Sequence, residues 1–297
     1  MVKGSRAWTL LPLLETTTSY FKDKGMESPR VDAELLLAHL LGVRRIDLYL
    51  QHDRPLSESE VSRYREMVRA RAGGTPVQRI TGEAEFYSIT LLVAEGVFIP
   101  RPETELLVDR GIAFLRKSGG GAGRSALDAG TGTGAVALAL AKNVPELRVL
   151  AVDRSAEAAA CARENAGRTG LAERVEVIEG DAAEELRARP GAIALVVSNP
   201  PYVTTAEAGE LPVEVREHDP AAALHGGEDG LDAYRALVPA ASIALAPGGM
   251  LVLEVSDTTA EGVRRLVEAD GRFAGASVEL DYAGRKRVLT AAAGRPE

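Results

Sequence analysis

Ile193-Ala194-Leu195-Val196-Val197-Ser198-Asn199-Pro200-Pro201-Tyr202 is the stretch on which the reading of this chain turns. A run of four to eight aliphatic residues predicts a strand covered on both faces, as in a parallel sheet. Two consecutive prolines end it, because neither has an N–H for a ladder and each ring fixes φ. Asn199 is thereby expected at the carboxyl end of a central strand, on a stiff loop, at the edge where open α/β sheets bind ligands. Its side chain offers one acceptor oxygen and two donor hydrogens. The Pro200 carbonyl has no regular partner implied by the sequence, and Tyr202 adds an aromatic plate. Two acceptors and a plate suit a planar –NH2 group. The plainer reading is a proline-rich turn opened by Asn, so the weight of this stretch depends on what precedes it.

Upstream, strands and helices alternate, the pattern of a doubly wound sheet. Ala126–Ala129 is the first strand, Ala135–Lys142 a helix, Arg148–Asp153 the second strand, Ser155 to about Thr169 a helix, and Val175–Ile178 the third strand. Downstream come a long loop with Pro212 and Pro220, a helix from Leu231 to Leu245, a strand from Met250 to Val255 and a helix over Val263–Ala269. Two strands, near Ser277–Tyr282 and Arg287–Ala291, close the sheet as a hairpin. The fold class is α/β, with a doubly wound, seven-stranded, mostly parallel sheet.

Between the first strand and its helix lies Gly130-Thr131-Gly132-Thr133-Gly134. Glycines there let the backbone turn tightly and approach a ligand. The dinucleotide fingerprint wants Gly at position 135, where this chain has Ala135, a variant that leaves a nicotinamide cofactor open. Asp153 ends the second strand about twenty residues on, where a carboxylate can accept from both ribose hydroxyls. Asp181, at the end of the third strand, is expected to accept from an exocyclic amine, and Asp128 to orient the turn. Each of these acids has a plainer reading as a helix cap. Together, at three successive strand ends, they point to nucleoside binding. The turn lacks the Lys-Ser/Thr of a phosphate loop, and the nearby acid disfavours a pyrophosphate. The combination fits S-adenosylmethionine.

The first 75 residues read as helices only. Leu10, Leu13 and Leu14 recur at helical spacing. Pro29 opens a helix that Gly42 stops, and Ser57 with Glu60 forms a capping box. The helix after it carries Val61, Tyr64, Met67 and Val68, with Arg63, Arg65, Arg69 and Arg71 around them as a solvated face or a partner contact. Residues 76–103 form a linker after Gly73-Gly74-Thr75-Pro76, with Phe86–Val93 as an arm of a β-hairpin, and residues 104–297 form the sheet domain. Pro100 and Pro102 hold the intervening segment extended, and Thr104 is expected to cap the helix from Glu105 to Arg116.

The chain has 297 residues, 45% of them hydrophobic, enough for a large core, and a formal net charge of −8. That charge argues against broad non-specific nucleic-acid binding. A single Cys161, expected to pack on its helix, excludes an intramolecular disulfide. His39, His52, His218 and His225 show no ligand spacing, so no metal is expected. No secretory signal or membrane span is evident, which leads to the expectation of a cytoplasmic protein.

Taken in order, these motifs resemble the class I S-adenosylmethionine-dependent methyltransferases, and within them the glutamine methyltransferases that modify peptide chain release factors. The resemblance covers nearly the whole chain: Asp32–Leu37, Gly74–Gln78, Phe98–Glu105, the glycine turn, Asp153, Asn165-Ala166, Asn199–Tyr202, Gly226–Leu231 and Asp281–Arg285. Phe98–Glu105 marks the release-factor branch. The resemblance implies methyl transfer to the side-chain amide nitrogen of the glutamine in a Gly-Gly-Gln motif, with a release factor as protein partner, no stable nucleic acid and no membrane, by a monomer whose helical bundle docks the partner. It implies that Gly130, Thr131, Gly132, Thr133, Gly134, Asp153, Asp181 and Ala182 bound the cofactor, with Phe98 and Arg101 near its pocket. Asn199 would contact both cofactor and substrate, and Pro200, Pro201 and Tyr202 would frame the glutamine. Three departures stand out. Ala182 replaces a frequent adenine-stacking aromatic, which implies weaker cofactor binding. Ser256 replaces glycine after the fifth strand, and His218-Asp219-Pro220 replaces Glu-Pro. Two rival readings remain: an adenine amino-methyltransferase of nucleic acid, which would flip a base into the pocket, and a non-catalytic module on the same fold, favoured by Ala182 and Ser256.

Overall fold

The computed structural model describes residues 8–121 and 123–294. Its contacts divide the chain between Gly82 and Glu83.

The first unit is helical: α1 (Leu10–Asp23), α2 (Pro29–Leu41), α3 (Arg45–Leu50), α4 (Glu58–Ala72) and α5 (Val77–Thr81). Gly42 ends α2 in the left-handed conformation, and the Ser57–Glu60 box opens α4 reciprocally, at 3.2 and 2.8 Å. Leu10, Leu14, Phe21, Leu36, Leu37 and Tyr64 form its core; the Tyr64 hydroxyl donates to the Ala33 carbonyl at 3.0 Å. One of the four arginines departs from the expected solvated face. Arg71 is buried, and its Nε donates to the buried Asp32 at 2.7 Å. The stretch after Gly73–Pro76, read as linker, begins with helix α5, whose Val77 belongs to this core.

The second unit opens with a hairpin, β1 (Glu83–Phe86) and β2 (Ile89–Leu92). The sequence reads Phe86–Val93 as one arm, but the turn falls inside it. Tyr87 and Ser88 both take positive φ, 49° and 57°, the geometry that reverses a twisted ribbon in two residues. A short 3-10 turn, Pro102–Thr104, leads into α6 (Glu105–Lys117). Then follow β3 (Ser125–Ala129), α7 (Ala135–Asn143), β4 (Arg148–Asp153), α8 (Ala156–Arg168), β5 (Val175–Glu179), α9 (Ala182–Arg187) and β6 (Ile193–Ser198). The expected long loop holds a 3-10 turn, Glu207–Glu210, and two short helices, α10 (Val213–His218) and α11 (Ala221–Leu224), opened by Pro212 and Pro220. The chain closes with α12 (Asp232–Ala244), β7 (Leu245–Glu254), α13 (Ala260–Asp270), β8 (Phe273–Leu280) and β9 (Lys286–Ala293). β7 starts five residues earlier than Met250, running through Pro247-Gly248-Gly249 with a register shift opposite Ile193–Leu195.

The seven strands lie in the order β5-β4-β3-β6-β7-β9-β8, parallel from β5 to β7, with β9 antiparallel to both β7 and β8. Alternate side chains serve the two faces. Ala126, Leu195 and Val197 pack with α6, α7 and α8; Leu127, Val196 and Leu251 pack with α9, α12 and α13. Chain order reverses between β3 and β6, the switch point at which such sheets leave a crevice.

Candidate functional site

Two loops meet at the switch point. Ala129 pairs with Ser198, and Ser198 Oγ donates to the Ala129 carbonyl at 2.7 Å. The next residues, Gly130 and Asn199, therefore leave adjacent strands side by side. The Gly130 and Thr131 amides both donate to the Val152 carbonyl, at 2.8 and 3.0 Å, and the Gly132 N–H donates to Asp153 at 2.8 Å. Gly130 and Gly132 have positive φ, and a Cβ built on either would meet no atom within 4 Å. The turn thus presents bare backbone to open space, the surface a ligand needs for close approach. Asp128 braces it from beneath. Buried, it accepts from Thr131 Oγ1 at 2.7 Å and from the Ala137 N–H at 3.1 Å, and burial pushes its carboxyl up to about 6. Thr133 is buried, with its carbonyl taken by Asn165.

Asp153 keeps capacity for a diol. One oxygen accepts from Gly132 and the other from the Ser155 N–H at 3.0 Å, yet each carboxylate oxygen accepts more than once. Asp181 does a different job from the one its strand-end position predicts. Its Oδ1 caps α9, accepting from the Ala183 and Glu184 amides at 2.8 and 3.0 Å, and its other oxygen pairs with Arg154. An exocyclic amine would have to share those oxygens. Ala182 is the first residue of α9 and is half-buried. Phe98 and Arg101 form a separate cluster. The Arg101 guanidinium lies over the Phe98 ring, 5.2 Å from its centroid, and pairs with the buried Asp219, which also accepts from the Ile99 N–H at 3.4 Å. The Asp219 departure thus anchors the 98–101 segment.

The Asn199 amide is held from the side. Its Nδ2 donates to Thr104 Oγ1 at 3.1 Å, and Thr104 Oγ1 donates to Glu254 Oε2 at 2.7 Å. Thr104, expected as a helix cap, makes no capping bond. Among the described residues, no donor reaches Asn199 Oδ1 or the Pro200 carbonyl. Tyr202 donates its hydroxyl to Glu254 Oε1 at 3.1 Å, and its ring lines a cavity of about 270 Å³ with Val203, Leu211, Pro212 and Ser256. Ser256, in place of glycine, exchanges hydrogen bonds with Thr259 and opens the turn into α13. Glycine is required at the neighbouring loop. A Cβ on Gly226 would stand 2.8 Å from the Pro201 carbonyl oxygen and the Tyr202 Cα, so this loop can brace Pro201-Tyr202 only without a side chain.

Glu254 is the residue the sequence reading undervalued. It is 2% exposed. Burial pushes its carboxyl up to about 7, while Thr104, Arg287 and Tyr202 pull it down. Arg287 stands 3.9 Å away and is held by Asp281 at 3.0 Å. The signal was an acid at the end of the apolar run Met250–Leu253, since a charge buried there demands partners. Among the described residues, no group of three metal-ligating side chains occurs and no helix is long and apolar enough to cross a membrane.

Comparison with known proteins agrees with this architecture. A family described as "PrmC N-terminal domain" matches residues 12–82, and one described as "Methyltransferase small domain" matches residues 89–214. A solved T. thermophilus 16S rRNA N2 methyltransferase, RsmC, in complex with AdoMet and guanosine, superposes with a TM-score of 0.52 at 22% identity, covering 72% of this chain and 50% of that one; it supports the fold alone. The release factor glutamine methyltransferase of Rhodopirellula baltica is 40% identical over 95% of this chain and 96% of its own length. That of Chlorobaculum tepidum is 41% identical over 96% and 97%. With this identity running over nearly the whole length of the chain and of these relatives, the chain belongs to the release factor glutamine methyltransferase family.

Proposed function

We propose that this protein transfers a methyl group from S-adenosylmethionine to the side-chain amide nitrogen of the glutamine in the Gly-Gly-Gln motif of a peptide chain release factor. The observation that carries the reading is the pair of acceptors, Asn199 Oδ1 and the Pro200 carbonyl, that leave β6 beside the bare glycine turn. Gly130 to Gly134 would lie against the cofactor, Asp153 would accept from its ribose hydroxyls, Asp181 and Ala182 would contact it beyond, and Phe98 and Arg101 would lie near its pocket. When bound, the cofactor supplies an electrophilic methyl on a sulfonium.

A glutamine amide nitrogen is a weak nucleophile because its lone pair is shared with the carbonyl. Asn199 and Pro200 each take one of its hydrogens, which fixes the nitrogen face and favours pyramidalisation as positive charge develops. Acceptors that hold this charge better than the neutral amide stabilise the transition state, and alignment alone contributes up to roughly 7–11 kcal/mol at the ideal limit. Tyr202 and Pro201 wall the glutamine side chain. As the N–CH3 bond forms the S–CH3 bond of the sulfonium would break, leaving a neutral thioether, and the methylated nitrogen then loses a proton to water when it is strongly acidic, so an early general base is not required.

The helical unit is assigned to partner docking through the exposed Arg63, Arg65 and Arg69. The protein works in the cytoplasm as a monomer, without stable nucleic-acid or membrane attachment. Incubation with release factor and methyl donor, followed by mass spectrometry, is the test. The expected result is one added methyl on the motif glutamine, lost in Asn199→Ala while cofactor binding persists. Methylation of DNA or RNA instead, or an Asn199→Ala enzyme near wild-type rate, overturns it.

A further inference from the structure

We propose that Glu254 acts through Thr104 as a positioning residue for Asn199, deciding which end of the Asn199 amide meets the substrate. This deepens the reading above and rests on it, since it concerns the same amide.

Hydrogen-bond direction sets the orientation of the amide. An ionised carboxylate only accepts. Thr104 Oγ1, 2.7 Å from Glu254 Oε2, must therefore spend its single proton on Glu254. Its lone pairs then face Asn199, and only the NH2 end of that amide can satisfy them, as Nδ2 does at 3.1 Å. The carbonyl end, Oδ1, is left for the substrate. Turned over, the amide would set Oδ1 against an oxygen with no hydrogen to give, and would offer donors to a substrate –NH2 that is itself a donor. Thr104 thus passes the acceptor-only character of Glu254 to the far side of Asn199.

Glu254 is in turn held from several sides. Tyr202 donates to Oε1 at 3.1 Å, and Arg287 lies 3.9 Å from the same oxygen. The Arg287 guanidinium is steered by Asp281, whose other oxygen accepts from the Ala283 and Arg285 amides at 2.9 and 3.0 Å. The Tyr234 hydroxyl fixes the Glu254 backbone carbonyl at 2.7 Å. The Asp281–Arg285 motif, far along the chain from the cleft residues, thereby acquires a physical role: it holds the arginine whose charge favours the ionised form of the buried carboxylate against its burial. Because the aromatic plate of the cleft bonds to the same carboxylate, plate and amide share one anchor.

Three variants test this in the full-length enzyme: Thr104→Val, which keeps the shape and removes the hydroxyl; Thr104→Ser, which keeps the hydroxyl; and Glu254→Gln. Single-turnover rate, KM for release factor and cofactor Kd are measured on each. In parallel, hydrogen exchange of the Asn199 side-chain NH2 is followed by NMR on asparagine-labelled protein, its resonance identified from Asn199→Ala. The rate should fall about 10- to 100-fold in Thr104→Val, with KM and cofactor Kd within about threefold, and return to within about threefold of wild type in Thr104→Ser. The NH2 should be protected in wild type and Thr104→Ser and exposed in Thr104→Val. Glu254→Gln, which can present its own NH2 to Thr104, should fall with Thr104→Val. A wild-type rate in Thr104→Val, a Thr104→Ser enzyme as slow as Thr104→Val, or an unprotected NH2 in wild type overturns the proposal. An inactive wild-type enzyme with a protected NH2 would sink the functional reading and leave the relay standing. If Thr104→Val does not fold, Glu254→Gln and Thr104→Ser decide the matter: equal rates for these two overturn it.

Discussion

Asn165→Ala should unlock the hairpin from the sheet. Asn165 is fully buried in α8. Its Oδ1 accepts from the Leu92 N–H at 2.7 Å, and its Nδ2 donates to the Leu92 carbonyl at 3.0 Å and the Thr133 carbonyl at 2.9 Å. One amide thus imitates a strand partner for the end of β2 and pins the glycine turn as well. Truncation removes the protein partner of the part-buried Leu92 N–H and of the buried Thr133 carbonyl. The Leu92 carbonyl keeps only a weak contact from Cys161 Sγ at 3.4 Å. An unmade buried bond costs about 1–3 kcal/mol, so two of them together cost about 4 kcal/mol. For a unit of this size that lowers Tm by about 10 °C, taking roughly 2–4 °C per kcal/mol. Urea unfolding followed by circular dichroism measures the loss, and cofactor titration should show weaker binding because the Thr133 carbonyl no longer holds the turn. A loss under about 1 kcal/mol, with unchanged cofactor affinity, would refute the reasoning, since it would mean that water or a rearranged backbone satisfies these groups without the amide.

Other expectations follow from the same geometry. Gly226→Ala forces a Cβ to within 2.8 Å of the Pro201 carbonyl oxygen; the catalytic loop must shift, and turnover should drop about tenfold or more at unchanged cofactor affinity, read by steady-state kinetics. Arg71→Leu removes the ion pair to the buried Asp32 carboxylate and should destabilise the helical unit by about 3 kcal/mol in denaturant titrations. Reversing the charges of Arg63, Arg65 and Arg69 together should raise KM for release factor and leave cofactor Kd alone; an unchanged KM removes these side chains from docking. Glu254, raised from 4.5 to about 7 by burial, binds its proton more tightly folded than unfolded. Its charging therefore costs stability as pH climbs through that window, and the cost is complete above it. Glu254→Gln should accordingly gain stability relative to wild type between pH 5 and 8, by on the order of 3 kcal/mol at the upper end, measured as the difference in unfolding free energy.

Order along the chain was legible because it depends on local chemistry. The aliphatic run before Asn199, the paired prolines, the glycine turn and the acids at strand ends announce a doubly wound sheet by period and punctuation alone, and the Ser57–Glu60 box is a contact three residues long. Asn199 and Gly130 each fall at the carboxyl end of a strand by that pattern, and the sheet order then sets those two ends side by side. What stayed hidden were partnerships across long separations. Nothing local ties Thr104 to Glu254, 150 residues on, or Asn165 to Leu92, and a threonine before a helix looks the same whether it caps that helix or not. The Tyr87-Ser88 turn escaped notice because neither residue is a usual carrier of positive φ, and Arg71 because an arginine's burial depends on whether a carboxylate waits opposite. Asp181 shows the converse: its position was read correctly, and only the folded neighbourhood revealed that a helix end and Arg154 had already taken its oxygens. Side-chain periodicity and backbone chemistry act within a few residues and survive in the sequence, whereas the direction of a hydrogen bond in a buried relay is set by which groups tertiary packing brings together.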